Sequence, residues 1–389
     1  MMASSDNLLH AVPVAPLKIL ALPGCENMAE SIDSYLRHFR KERVQKNAAK
    51  KRIYGYQADS FLVHSECPRF GSGEGKGIIK ESVRGVDLFL LVDVCNYSVT
   101  YPLFGQMNHM SPDDHYQNLK RIIAAVNGKA HRISVIMPFL YESRQHKRTN
   151  RESLDCAMVL QEISRMNVTN FITFDAHDPR VQNSIPLHNF DNFFPTYQFM
   201  KALLHSEPDI QLNNDHLMII SPDEGAMSRA VYFSNVLGVD MGMFYKRRDY
   251  SIIENGKNPI VAHEFLGASV EGKDCLVIDD MIASGGSMID VARQLKERGA
   301  KRVIVCTTFG LFTEGLERFD EYHKKGIIEK IITTNLIYQT PELLTREWYE
   351  SARMEKYLAS IIDTMNHDVS IAPIMNNTTK INKMLKKHR

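Results

Sequence analysis

The sequence predicts an α/β protein with two similar halves, each a mostly parallel sheet flanked by helices. Three observations predict it. Short, nearly continuous apolar runs recur along the chain, as strands buried on both faces of a parallel sheet require. Helical stretches with an apolar stripe fill the gaps between them, the alternation expected of right-handed crossover units. The length of 389 residues is long for one core and comfortable for two.

Taken in order, residues 1–16 read as a polar arm carrying Pro13 and Pro16. Strands are expected at 18–21, 87–94, 132–137, 170–174, 216–220, 275–278, 302–307 and 330–334. Helices are expected at 153–166, 225–237 and 287–298. The stretch 40–52 is rich in Lys and Arg and reads as a solvated helix or an insertion. The segment 188–195 reads as the connection between the halves, so the domains are expected at 17–195 and 196–389.

Composition narrows the function classes. A net charge of +1 gives no global attraction to nucleic acid or to a membrane surface, so an anionic ligand needs a local basic site. No apolar run approaches the ~18 residues of a membrane span. The six cysteines form no C-x-x-C pair and read as reduced thiols. A cytoplasmic protein with no nucleic-acid or membrane partner is expected.

The segment richest in chemistry is Asp279-Asp280-Met281-Ile282-Ala283-Ser284-Gly285-Gly286-Ser287. A buried strand over 275–278 is expected to end in the two aspartates. A glycine loop then leads into a helix that stops at Gly299. Ser287 and Asp290 have the spacing of a capping box, with Asp in place of the usual Glu or Gln. Ligands of open α/β sheets bind beyond the carboxyl ends of strands. Free N–H groups and the dipole at a helix start favour a phosphate. Gly285 and Gly286 allow close backbone approach, and Ser284 and Ser287 offer hydroxyls. Carboxylates suit ribose hydroxyls or a magnesium-bound ligand better than a bare phosphate.

This segment resembles the phosphoribosyl-pyrophosphate-binding motif of phosphoribosyltransferases and of ribose-phosphate pyrophosphokinases. The remaining matches resemble the second group. They are Glu81-Ser82-Val83-Arg84-Gly85-Val86-Asp87, the run from Pro138 to Arg144-Gln145, and Phe174-Asp175-Ala176-His177. They continue with Ser221-Pro222-Asp223-Glu224-Gly225 followed by Arg229-Ala230, and with Lys246-Arg247-Arg248.

The resemblance implies two tandem phosphoribosyltransferase-like domains. It implies transfer of the pyrophosphoryl group of ATP to the C1 hydroxyl of ribose 5-phosphate, with Mg2+, giving phosphoribosyl pyrophosphate and AMP. The first domain would supply ATP contacts through Phe70, Glu74, Arg144 and Gln145. His177 and Asp223 would hold the metal. Lys246, Arg248 and His177 would be catalytic, with the loop after Arg248 acting as a lid. Asp279, Asp280, Ser284, Gly285, Gly286 and Ser287 would bind ribose 5-phosphate. In the family the loop of Glu74 reaches a neighbouring subunit, which implies a homo-oligomer, a dimer or hexamer, with a shared active site.

Three departures bear on activity, one of them the segment after the histidine in Asp175-Ala176-His177-Asp178-Pro179-Arg180-Val181-Gln182. Ala283 stands where the family loop usually carries an acid, and Ser72 replaces an acid in Phe70-Gly71-Ser72-Gly73-Glu74. They leave open a catalytically weak regulatory paralogue that binds an active pyrophosphokinase. A phosphoribosyltransferase is a further alternative, but it would leave the ATP-side segments unexplained. The extra length at 45–67 and 338–389 carries no assigned role.

Overall fold

The computed structural model describes residues 7–248 and 260–388. It divides into two compact units. The first comprises residues 1–194, 336–338 and 354–376; the second comprises 195–335, 339–353 and 377–389.

The first unit holds a six-stranded parallel sheet. Its strands are β1 (Leu17–Ala21), β2 (Leu62–Val63), β3 (Asp87–Leu91), β4 (Arg132–Ile136), β5 (Asn170–Phe174) and β6 (Asn189–Phe193). The spatial order is β6-β5-β4-β3-β1-β2. Every residue of β3 and β5 is buried, which explains their unbroken apolar runs. Helices α1 (Glu26–Lys46), α2 (Pro112–Val126) and α3 (Asp155–Arg165) cross between strands. Helix α2 begins with a full capping box, Ser111 with Asp114, and has Pro112 in its first turn.

The second unit holds a seven-stranded sheet of β7 (Leu217–Ser221), β8 (Met241–Arg248), β9 (Ile260–Leu266), β10 (Asp274–Ile282), β11 (Arg302–Gly310), β12 (Lys330–Thr334) and β13 (Tyr349–Ala352). The order is β9-β8-β7-β10-β11-β12-β13, and only the β8–β9 pairing is antiparallel. Alternate residues feed two cores. Cys275 and Val277 join one apolar cluster, whereas Leu276 and Ile278 join the other. Its helices include α4 (Thr196–Ser206), α5 (Met227–Leu237), α6 (Gly286–Glu297) and α7 (Glu317–Lys324).

The structure corrects four expectations. Strand β10 does not end at residue 278. Its neighbour β11 pairs with it as far as Ile282, so both aspartates lie within the strand. The expected connection at 188–195 contains β6, whose Phe190 stacks on Phe171 with rings 5.9 Å apart. The capping box of Ser287 does not form; α6 starts one residue earlier, with Gly285 as its cap, and Asp290 bonds Arg293 and Gln294 instead. Residues 354–376 join the first unit rather than the second, because helix α8 (Glu355–Asn366) packs on α1.

That packing departs from the solvated reading of 40–52 at two positions, whereas Lys41, Glu42, Lys46, Lys51 and Arg52 are exposed. Arg40 is 1% exposed and Lys50 is 2% exposed. The Arg40 guanidinium donates to Asp363 at 2.9 Å and to Asn366 at 2.7 Å, and lies 4.4 Å from the Tyr56 ring. Arg43 pairs with the same carboxylate. Burial pushes Asp363 up, but Arg40 and Arg43 beside it outweigh that and hold it at about 2. Burial pushes the neighbouring His367 down to about 4, against the pull of Asp363. Its Nδ1 bonds the Asp363 carbonyl at 2.7 Å, while Nε2 has no hydrogen-bond partner among the described residues.

Removing one member of a buried pair strands the other charge. Asp363→Asn should therefore destabilise the protein by about 3–5 kcal/mol in urea unfolding. The pH dependence has two windows. Folded His367 takes its proton less readily than unfolded histidine, so stability is full above pH ~6.5 and falls as pH drops towards about 4. Asp363 is depressed on folding, so its contribution holds above pH ~3.9 and is lost on descending through about 2. His367→Gln should flatten the slope of the urea midpoint between pH 6.5 and about 4. An unchanged slope would rule out His367 as its source.

Candidate functional site

Strand order reverses between β7 and β10. From β7 the chain moves to β8 on one side and later to β10 on the other, the switch point at which open α/β sheets bind ligands beyond the carboxyl ends of their strands. Asp223 follows β7, and Asp279 and Asp280 lie in the carboxyl-terminal half of β10. Asp223 accepts hydrogen bonds from the Gly225 and Ala226 amides at 2.9 and 3.2 Å. The Asp280 amide donates to Asp279 Oδ1 at 2.8 Å. The Asp280 carboxylate lies 3.8 Å from the guanidinium of Arg229, and both side chains are nearly buried.

Burial first, then the charges of Asp280 and Asp223, push the Asp279 carboxyl well above its usual range. Like charges are thus held together in a poorly solvated place. A bound cation or a polyhydroxyl ligand would relieve them.

The loop from Ala283 to Gly286 continues directly into α6. Gly285 has a φ of +87°, and a Cβ there would stand 2.1 Å from Phe319 Cζ, so this position requires glycine. Continuation of β11 closes the other side: Leu311 and Thr313 amides donate to the carbonyls of Ile282 and Ala283 at 2.8 and 3.0 Å. No side chain caps α6. Its first amides therefore remain available to an anion, with Ser284 and Ser287 beside them. The structure thus brings Asp223, Asp279, Asp280, Ser284, Gly285, Gly286 and Ser287 to one edge of one sheet.

The first unit gathers a second group. His177 follows β5 through Asp175, whose φ of +42° is unusual for a non-glycine residue. The His177 ring lies 5.4 Å from that of His146, and His146 Nε2 is 3.5 Å from Asp178. Asp178 is held at about 2, chiefly by its hydrogen bonds to Arg180. Arg144 is exposed, whereas Gln145 uses its side-chain amide to hold the Ser153 carbonyl at 2.8 Å. Phe70 and Glu74 stand on an exposed turn closed on itself: the Phe70 amide donates to the Glu74 carbonyl at 2.7 Å, and Ser72 donates to the Glu74 carboxylate at 2.8 Å.

The expected metal ligands His177 and Asp223 belong to separate units. Among the described residues no three His, Cys, Asp or Glu side chains form a ready metal cage. The side chains of Lys246 and Arg248 lie outside the described residues, as does the expected lid at 249–259. Sequence reasoning missed His146 and Asp178, each adjacent to a named residue, and it missed the role of Phe319 under the glycine loop.

Comparison with known proteins gives a consistent picture. Residues 17–166 match the N-terminal domain of ribose phosphate pyrophosphokinase, and residues 201–345 match the phosphoribosyl transferase domain. A ribose-phosphate pyrophosphokinase of Vibrio parahaemolyticus is 28% identical over 321 residues, covering 81% of this chain and 92% of the relative. One from Shewanella oneidensis is 26% identical over 318 residues, covering 79% and 90%. The crystal structure of phosphoribosylpyrophosphate synthetase from Mycobacterium smegmatis shares the fold, with a TM-score of 0.68 at 22% identity, over 90% of this chain and 99% of the other.

The crowded carboxylates work against folding. Because Asp279 is raised in the folded state, ionising it at neutral pH costs more there than in the unfolded chain. Asp279→Asn should raise the urea midpoint at pH 7, and the gain should shrink as pH falls towards ~4. A midpoint no higher than the parent's would show that the like charges are already relieved. Gly285→Ala should lose about 2 kcal/mol or more from the φ penalty and the clash with Phe319, read by the same unfolding curves.

Proposed function

Because the chain belongs to the ribose-phosphate pyrophosphokinase family, we propose that it transfers the β,γ-pyrophosphoryl group of ATP to the C1 hydroxyl of ribose 5-phosphate, giving phosphoribosyl pyrophosphate and AMP for nucleotide biosynthesis. One observation carries the reading most directly. The switch point of the second unit's sheet joins paired carboxylates to an uncapped, glycine-lined helix start. Ribose 5-phosphate has matching parts: a phosphate for the amides of Gly285, Gly286 and Ser287, and ring hydroxyls for Asp279 and Asp280.

Magnesium fits the donor set. It is usually held by one or two carboxylates together with substrate phosphates rather than by an all-protein cage. Asp223, beside the crowded Asp279, supplies such an oxygen, and His177 serves the ATP side of the first unit. When bound, the metal neutralises charge on the polyphosphate. The remaining roles fall to the chain's own side chains. Lys246 and Arg248 offset charge that develops on the transferring oxygens, since phosphoryl transfer needs fixed cations more than covalent chemistry. Arg144 and Gln145 orient ATP, and Phe70 and Glu74 contact its adenine across a subunit boundary in a homo-oligomer. No helix among the described residues is long and apolar enough to cross a membrane.

Ala283 and Ser72 favour one other reading, a weak paralogue that regulates an active pyrophosphokinase. Retention of Lys246 and Arg248 argues for the enzyme, because a regulatory subunit has little need of them.

The test is an assay of the purified protein with ATP, Mg2+ and ribose 5-phosphate, following AMP. AMP should form only when the sugar phosphate is present, and Lys246→Ala should lower the rate on the order of a hundredfold or more. No AMP with ribose 5-phosphate still binding would move the assignment to the regulatory reading. No binding of ribose 5-phosphate would remove both.

A further inference from the structure

We propose that Arg318 is a further substrate-binding residue of this site: it grips the 5-phosphate of the sugar seated on the Ser284–Ser287 loop and sets the preference for phosphorylated over free ribose. The proposal rests on reading that loop as the ribose 5-phosphate site.

The geometry that points to it lies beside Gly286. A side chain starting there would meet Arg318 Nη1 at 3.8 Å and Ser284 Oγ at 4.0 Å. A guanidinium and a hydroxyl thus converge on the space that Gly286 leaves open at the start of α6. The uncapped amides of that helix point into the same region.

Arg318 is held in position by its neighbour. Phe319 is 1% exposed, lies directly behind Gly285 and packs against Trp348 with ring centroids 5.5 Å apart. Helix α7 therefore cannot drift away from the loop without opening the core. The guanidinium itself is not committed elsewhere with much force. Its recorded ion pair is with Glu314, four residues earlier, at 3.4 Å, and the two side chains are 47% and 57% exposed. Such exposed pairs are weak. A phosphate dianion offers the planar guanidinium two oxygens and a stronger charge-assisted contact, so exchange of Glu314 for phosphate is favourable.

The charge pattern agrees with a division of labour. Carboxylates cluster on the β10 side, where the sugar hydroxyls would lie. Ala283 keeps the loop itself free of a further acid, and Arg318 supplies positive charge on the α6 side. A site built this way recognises the end of the sugar remote from C1.

The test measures steady-state kinetics and calorimetric binding for the parent, Arg318→Ala and Arg318→Lys. In Arg318→Ala the KM for ribose 5-phosphate should rise roughly ten- to a hundredfold. The kcat and the KM for ATP should change by no more than about threefold, and Arg318→Lys should fall between parent and alanine. Weak binding of unphosphorylated ribose should be the same in parent and Arg318→Ala. An unchanged ribose 5-phosphate KM in a folded Arg318→Ala protein, checked by its Tm, would falsify the role. Equal loss of ribose and ribose 5-phosphate binding would assign Arg318 to loop support instead. A parent that binds no ribose 5-phosphate overturns the reading of the loop, and this proposal with it.

Discussion

Parallel strands deliver all their carboxyl ends to one edge of a sheet, and that constraint organises both units. Where the strand order reverses, no crossover covers the edge, so the fold itself makes a crevice there. In the second unit the reversal falls between β7 and β10, and three aspartates and a bare helix start meet at it. In the first unit the reversal falls between β1 and β3, and the chain fills it. Asp93, just beyond β3, accepts hydrogen bonds from the amides of Cys95 at 2.9 Å and Tyr338 at 2.7 Å. The Asn96 side chain reaches across to the Gly24 carbonyl at 3.0 Å. Burial pushes Asp93 up to about 7, against those two amides. The same topology thus gathers carboxylates and a helix start in one unit and makes a hydrogen-bonded seam in the other.

The contrast extends to how charge is treated. Around Arg40 and Asp363, buried groups of opposite sign satisfy one another, and they hold a late helix against an early one. Around Asp279, groups of the same sign are crowded together. The first arrangement stabilises the fold; the second stores unfavourable energy that a ligand can release. Strain of this kind persists only where the surrounding core over-determines it. The buried stretch of β10 from Asp274 to Ile278 and the Phe319–Trp348 packing supply that support.

Much of the fold was legible in the sequence because a strand buried on both faces needs an unbroken apolar run. Such runs located β1, β3, β4, β5, β7, β11 and β12 to within a few residues. The extension of β10 through Asp279 and Asp280 was not legible, since it depends on pairing with β11 rather than on local composition. Strand β6 was hidden because Asn189, Asp191 and Asn192 break its apolar pattern at the sheet edge. The burial of Arg40 within the basic run at 40–52 was not legible because its neutralising partner lies 323 residues away. Within the site, the glycine loop and its aspartates were legible as a pattern. The adjacency of His146 to His177, and of Arg318 to Gly286, arises only from tertiary packing.

The assignment of residues 354–376 to the first unit has a consequence for how the protein is made. Helix α1 emerges early in synthesis, yet its buried Arg40 has no counter-charge from α8 until residues 195–353 have been translated. The first unit cannot reach its final packing while it is the only part outside the ribosome. It must wait, incompletely closed, as the strands of the second unit appear between its own two pieces. Contacts of such long sequence separation slow folding and prolong the exposure of apolar surface. The interleaving therefore makes late translation, rather than completion of the first sheet, the point at which both units can settle.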